Sequence, residues 1–66
     1  MNTRLEAPLP AQIGGPALRA LAAVGVTRLD HISRFSERDL LALHGVGPKA
    51  VRILRSALEE AETKSE

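Results

Sequence analysis

The sequence predicts an all-α, compact domain of four to five short helices, and three observations favour this fold class. Helix-start signals recur along the chain: a Gly-Pro pair, two Ser or Thr residues each followed three positions later by an acidic residue, and a second Gly-Pro pair. Apolar residues in the last segment follow a helical period, and no stretch alternates as a strand does. The chain has 66 residues and no cysteine, so a single small core must hold it together without disulfides.

The chain divides into an arm, a folded body and a tail. Residues 1–12 contain two prolines and show no sustained period, so we expect a flexible, extended arm that docks loosely on the body. Residues 13–61 hold the helix signals and form the domain. Residues 62–66 are expected to form an acidic tail. Half of the acidic residues of the chain lie between residue 59 and its end, which leaves the body basic.

The first two helices are identified by their ends. Pro16 suits the first turn of a helix over residues 14–24, and Gly25 then suits a left-handed C-cap. Thr27 and Asp30 have the spacing of a capping box, in which each side chain accepts a backbone N–H from the other residue. This spacing predicts a second, short helix that begins after Thr27.

The last two helices follow the same logic. Ser36 and Asp39 repeat the capping-box spacing and predict a third short helix. The fourth helix starts at Pro48 and runs to about Ala61, with its apolar residues on one face. The predicted core consists of the large apolar side chains that these helices turn inward: Leu18, Leu21, Val24, Val26, Leu29, Ile32, Phe35, Leu40, Leu43, Val46, Val51, Leu54 and Leu58.

The segment Leu43–Lys49, Leu-His-Gly-Val-Gly-Pro-Lys, is the most informative part of the chain. Its two glycines let the backbone come close to a ligand, and Pro48 opens the helix. The first N–H groups of a helix have no partner within it, and they lie at the positive end of the helix dipole. With Lys49 beside them, unpaired amides near Val46 are predicted to hold an anion such as a phosphate.

A basic strip continues from this turn along the fourth helix. On a helical wheel, Lys49, Arg52 and Arg55 recur every three residues on the polar face, with no acidic residue among them before Glu59. A solvated helix face usually mixes the signs of its charges, because i,i+4 pairs then form. The strip therefore favours a polyanionic partner, although an ordinary solvated face would also explain it.

An internal repeat relates the start of the first helix to the start of the fourth. Residues 13–21 align without gaps on residues 46–54, and Arg19 then corresponds to Arg52. Two such turns, one of them at Gly15, match the two phosphate backbones that flank the minor groove of duplex DNA. The alternative is that Gly-Pro helix starts are common, so that the similarity is structural only.

Residues 40–49, with the apolar run that follows them, resemble a helix-hairpin-helix motif, the non-sequence-specific DNA-binding turn of many repair and replication proteins. Over residues 13–58 the pattern is similar to the C-terminal domain of the bacterial RNA polymerase alpha subunit, which implies a SAM-like fold. In that family the first helix and the turn into the last helix contact the minor groove and its phosphates. Other surfaces of that domain contact transcription activators.

The resemblance assigns individual residues. Gly47 and Lys49 match the family's glycine and lysine at the turn into the last helix, and Ala50 stands where the family has a small hydroxyl residue. Pro16 replaces the arginine that the polymerase domain inserts into the minor groove, and Arg19 replaces a neighbouring asparagine. The resemblance therefore implies duplex binding at the hairpin without the promoter recognition of the polymerase domain.

Other classes of function lack the residues they need. His31 and His44 do not have the spacing of metal ligands, and Asp30 and Asp39 are better explained as helix-start residues than as a catalytic pair. Apolar runs fall well short of the ~20 residues of a membrane span, and no signal-peptide pattern is present. We expect a cytoplasmic, bacterial, monomeric protein with no catalytic or metal site and no cofactor.

Two functions remain open. The first is a small DNA-binding module that grips duplex phosphates with little base specificity; the scarcity of aromatic residues disfavours stacking on unpaired bases. The second is a protein-interaction scaffold that docks on a transcription or repair assembly through Arg28, Arg34, Arg38 and the acidic tail, without binding DNA. For the first function, the predicted DNA-binding residues are Gly15, Arg19, Gly45, Val46, Gly47, Lys49, Ala50, Arg52 and Arg55.

Overall fold

The structure, a computed structural model, describes residues 3–63, and these residues are mostly helical. Two 3-10 helices, Thr3–Glu6 and Ala11–Ile13, precede four α-helices: α1 (Gly15–Ala23), α2 (Leu29–Ile32), α3 (Glu37–Leu41) and α4 (Pro48–Thr63). Within residues 3–63 there is no strand, and an isolated antiparallel bridge joins Pro8 to Arg28. The predicted all-α class is therefore confirmed.

α1 ends where the sequence predicts, in a Schellman motif. Gly25 lies at a φ of 81°, a left-handed conformation that glycine adopts without steric strain. Its N–H donates to the carbonyl of Ala22 at 3.0 Å, and the N–H of Val26 donates to the carbonyl of Leu21 at 2.8 Å. Both Leu21 and Val26 are buried, so the turn that ends the helix also places two core side chains.

α2 begins one residue later than predicted, and a different side chain caps it. The predicted Thr27 cap is wrong: the Nδ1 atom of His31 accepts the backbone N–H groups of Thr27 at 3.1 Å and of Arg28 at 3.4 Å. Asp30 instead accepts two hydrogen bonds from the Arg28 guanidinium, at 3.0 and 2.7 Å. Because the start is shifted, His31 occupies the third helical position, from which a side chain reaches back to the start of the helix.

α3 has the capping box that the sequence predicts. The N–H of Asp39 donates to the Ser36 hydroxyl at 3.1 Å, and the N–H of Ser36 donates to the Asp39 carboxylate at 3.3 Å. Leu40 is fully buried, whereas Leu41 is 41% exposed. This short helix therefore contributes one side chain to the core, and its capping residues hold that side chain in place.

The extended conformation predicted for the arm is wrong at both 3-10 helices of the N-terminal segment, residues 3–13. The first of these helices contacts α2 and α4, and the second contacts α1 and α4. Leu9 and Ile13 pack against the core, and the Leu29 N–H donates to the carbonyl of Ala7 at 3.1 Å. This segment therefore closes one side of the apolar core.

The core contains most of the predicted large side chains and three alanines that are not among the predicted residues. Among the predicted residues, Val24 is 46% exposed at the C-cap of α1. Four others are only partly buried: Leu18, Phe35, Leu43 and Leu58. The three alanines lie on α1 and α4, and each of them is at most 7% exposed. The buried residues are Ala17, Leu21, Val26, Leu29, Ile32, Leu40, Val46, Ala50, Val51, Leu54 and Ala61.

α4 extends into the region predicted as a tail. Glu62 and Thr63 continue the helix, and the Thr63 hydroxyl donates to the carbonyl of Glu59 at 2.7 Å. The rest of the predicted acidic tail, residues 64–66, and the first two residues of the predicted arm lie outside the described residues.

Candidate functional site

The turn between α3 and α4 is anchored from within. The Val46 N–H donates to the carbonyl of Leu43 at 3.1 Å, and the Val46 side chain is 5% exposed. An unpaired amide at Val46 was expected from the sequence, and the structure corrects this, because a tight turn uses that N–H to close itself. Val46 therefore fixes the shape of the turn rather than offering a donor to a ligand.

Gly45 joins this turn to the start of α1. It lies at a φ of 96°, and a Cβ built on it would lie 3.1 Å from the carbonyl oxygen of Pro16. A side chain at this position would be strained in backbone conformation and too close to a neighbouring backbone. The fold itself therefore requires glycine here. The close approach also brings the turn before α4 next to the start of α1, which carries the predicted DNA-binding residues Gly15 and Arg19.

Gly47 differs from Gly45, because nothing within the protein requires glycine at this position. Its φ is not positive, and a Cβ built on it would meet no atom within 4 Å. Its N–H has no acceptor among the described residues, whereas its carbonyl accepts the Val51 N–H at 3.0 Å. Gly47 therefore presents an open backbone donor beside unoccupied space, immediately before α4.

The first turn of α4 adds two further donors. Pro48 has no N–H, and the N–H groups of Lys49 and Ala50 precede the first i→i−4 bond of the helix, which Val51 makes. These amides lie at the positive end of the dipole of a helix of 16 residues. Together with the amide of Gly47, they form a row of donors that suits an oxyanion.

The predicted cations of α4 are exposed. The ion pairs between described residues join Arg28 and His31 to Asp30, and none of them involves Lys49, Arg52 or Arg55. No carboxylate of the described residues neutralises Lys49, so the positive charge beside the turn is available to a ligand.

Acidic residues reduce the positive charge of the basic strip at its Arg55 end. A shallow groove on α4 is lined by Arg52 and Arg55 together with Glu37 and Glu59. Glu37 reaches this groove because α3 packs against α4, a contact that the helical wheel does not reveal. Arg55 therefore lies in a mixed-charge environment, and the most positive part of the site is the Gly47–Lys49 end.

The start of α1 supplies the remaining predicted residues. A Cβ built on Gly15 would lie 3.2 Å from an Nη atom of Arg19, so the guanidinium of Arg19 lies over the first turn of α1. Both residues are exposed. Because Gly45 packs against Pro16, Arg19 is at the same end of the molecule as the turn before α4.

The internal repeat is visible in the backbone hydrogen bonds. The Ile13 N–H donates to Pro10 at 3.3 Å, as the Val46 N–H does to Leu43 at 3.1 Å, 33 positions later. Five residues further along, the Leu18 N–H donates to the carbonyl of Gly14, and the Val51 N–H donates to the carbonyl of Gly47, both at 3.0 Å. Residues 10–21, the first unit, and residues 43–54, the second unit, therefore share two backbone hydrogen bonds at equivalent positions, each ahead of or at the start of a helix.

The polar groups of α2 and α3 serve local structure. His31 caps α2, Asp39 caps α3, and His44 is exposed. Desolvation alone would raise the pKa of Asp30, but the hydrogen bonds and charge of Arg28 hold this pKa below its ordinary value of 3.8. Among residues 3–63 no group of three or more His, Cys, Asp or Glu side chains is placed to hold a metal ion.

No protein-family model matches the chain, and neither the curated proteins nor the solved structures contain a significant match. Among the described residues, no helix is both long enough and apolar enough to cross a membrane.

Proposed function

We propose that this chain is a small, non-enzymatic DNA-binding module of the helix-hairpin-helix type. In this proposal it grips the phosphates of duplex DNA at the turn before α4, with little sequence specificity. The observation that carries the proposal is Gly47, a glycine that neither backbone conformation nor internal packing requires. Its open N–H and the space beside it suit the close approach of a phosphate oxygen.

The charges around this turn support the same ligand. Lys49 follows the open amide directly, and Arg52 continues the positive surface one turn along α4. Arg19, from α1, supplies a second contact at the same end of the molecule. Backbone amides and cations bind phosphates without reading bases, so such a module has little preference for sequence.

The strength of this interaction is set by the number of phosphates neutralised. Three to five contacts, each contributing about −0.9 to the slope of log K against log salt concentration, give a slope of about −2.7 to −4.5. We therefore expect weak binding that fades near physiological salt. We place such a module in the cytoplasm, among transcription or repair assemblies.

A proton-nitrogen NMR titration with a short duplex at low salt tests the proposal. We expect the largest changes in amide chemical shift in residues 44–52 and 14–20. Within these residues, Gly47, Lys49 and Ala50 are expected to change most. Lys49→Gln is expected to weaken binding, and Arg34→Gln, which removes an exposed cation outside the site, serves as the matched control. Absence of shifts would contradict the proposal and favour the protein-interaction scaffold. Equal losses in both variants would show that binding is unspecific attraction to a basic body.

A further inference from the structure

α4 carries a second surface, which the DNA-binding proposal does not use as a whole. A groove runs along this helix beside the N-terminal segment. Its apolar part is formed by Pro10, Ile53 and Ala57, each of them half-buried. No described side chain covers these residues completely, so the groove offers an apolar surface to a partner.

Three further residues line this groove at intervals of four, which places them on successive turns of α4. They are Arg52, Ser56 and Glu60, and each step corresponds to a rise of about 6 Å along the helix. The groove therefore has a basic end, a small polar centre and an acidic end. If the helix direction is reversed about Ser56, the basic end takes the place of the acidic end.

We infer that the partner that fits this groove is a second copy of the same chain, with the two α4 helices antiparallel and a two-fold axis beside Ser56. Such an axis places Arg52 opposite Glu60 of the second copy, and Glu60 opposite Arg52 of the second copy. The interface is then isologous, since the same patch serves both chains. The small Ser56 side chain lets the helices come close at their crossing, where interaxial distances are about 8–10 Å.

The size of the groove sets the strength of this association. One helix pair buries less than the roughly 1,200 Å² of a stable interface, and exposed ion pairs contribute little free energy each. The dimer is therefore weak, reversible and sensitive to salt. This inference differs from the monomer expected from the sequence, because the groove becomes visible only once the N-terminal segment is placed beside α4. It involves no nucleic acid and does not depend on the proposed function.

Sedimentation equilibrium at low salt, from micromolar to millimolar chain, tests the charge pairing. We expect the apparent mass to rise from 7.1 kDa toward twice that value. Arg52→Glu and Glu60→Arg each place like charges opposite each other, so each variant is expected to remain monomeric at the same concentrations. The double variant Arg52→Glu/Glu60→Arg restores opposite charges and the dimer. A wild-type mass that stays at 7.1 kDa, or a folded double variant that stays monomeric, overturns the inference.

The absence of cysteine from the chain allows a second test that does not alter charge. In the antiparallel arrangement, Ser56→Cys places one thiol of each chain beside the axis. The Cα atoms of the two cysteines then lie at a distance that a disulfide can span, which is about 4.4–6.8 Å. We expect Ser56→Cys to form a linked dimer about tenfold faster on mild oxidation than Ala22→Cys, which places a thiol on the exposed face of α1. Equal rates in the two variants would overturn the proposed axis.

Discussion

The first unit (residues 10–21) and the second unit (residues 43–54) share two equivalent backbone hydrogen bonds and differ at their glycines. In the first unit the Gly14 N–H donates to Ala11 at 3.0 Å, whereas in the second the equivalent Gly47 N–H has no acceptor among the described residues. Gly14 lies at a φ of 93°, and Gly47 does not have a positive φ. The N–H of the glycine before the helix is thus bonded within the protein in the first unit, and in the second unit it has no acceptor among the described residues.

The cations of the two units also differ in how available they are to a ligand. Arg19 lies over the first turn of its own helix, whereas Lys49 is exposed beside an open amide. The first unit is therefore mainly a packing element that supports the second through the Pro16–Gly45 contact. A repeated motif therefore need not have a repeated role, because hydrogen-bond partners, rather than residue pattern, separate the first unit from the candidate ligand site.

The largest expected effect tests whether the two units contribute equally to the core. Leu21 and Leu54 are equivalent positions, and both are 0% exposed. Leu21→Ala and Leu54→Ala each leave a cavity in a tightly packed interior, so each is expected to lower the free energy of unfolding by about 2–5 kcal/mol. Urea denaturation followed by circular dichroism measures both. A loss under about 1 kcal/mol for either residue would show that its unit is not part of one cooperative core.

The next effect separates the two equivalent glycines. Gly14→Ala forces a side chain into a backbone region that is nearly exclusive to glycine, and we expect a loss of about 1–3 kcal/mol in unfolding free energy. Gly47→Ala meets neither strain nor a close atom, so its loss is expected to stay below about 1 kcal/mol. Urea titrations of the two variants under identical conditions provide the comparison. Equal losses would mean that Gly47 is also required by the fold.

A smaller effect is expected in the salt dependence of duplex binding, measured by fluorescence anisotropy. Lys49→Gln and Arg19→Gln each remove one proposed phosphate contact, so each is expected to lower the magnitude of the slope by about 0.9. Arg55→Gln is expected to change the slope less, since Glu37 and Glu59 lie in the same groove. If Arg19→Gln leaves the slope unchanged, only the second unit contacts DNA.

The smallest effect concerns α2, which lies between the two units. Arg28 lowers the pKa of Asp30 in the folded protein, so the pair stabilises the fold above the ordinary pKa of 3.8 and this contribution is lost as the pH falls through the folded value. Asp30→Asn is expected to flatten this part of the acid unfolding curve. The change is small because both side chains are partly exposed. An unchanged acid unfolding curve in Asp30→Asn would contradict the role of the pair.

Features set by neighbours in the chain were predictable from the sequence. The Ser36–Asp39 capping box and the Gly25 helix end depend on residues within one turn, so their residue types are sufficient. Thr27 shows the limit of this approach. It has the same spacing pattern as Ser36, but His31 competes for the same N–H groups and the helix start shifts by one residue.

Features set by distant neighbours were not predictable. Leu9 and Ile13 carry no helical period of their own, and their partners in the core come from the rest of the chain. The approach of Glu37 to Arg55 likewise requires the packing of α3 on α4. At the candidate site, residue types pointed to the turn before α4 as a proposed anion site, but only the backbone geometry distinguished the bonded amide of Val46 from the open one that follows it.

The most direct test of the central claim is the affinity of Gly47→Ala for a short duplex at low salt, measured beside its unfolding free energy. The added methyl group occupies space that is empty in the protein and that a phosphate fills in the proposed complex. We predict a variant as well folded as the wild type that binds DNA about tenfold more weakly, a loss of about 1.4 kcal/mol. A Gly47→Ala variant that binds DNA as tightly as the wild type, or a wild type that does not bind, would contradict the proposed phosphate site at Gly47.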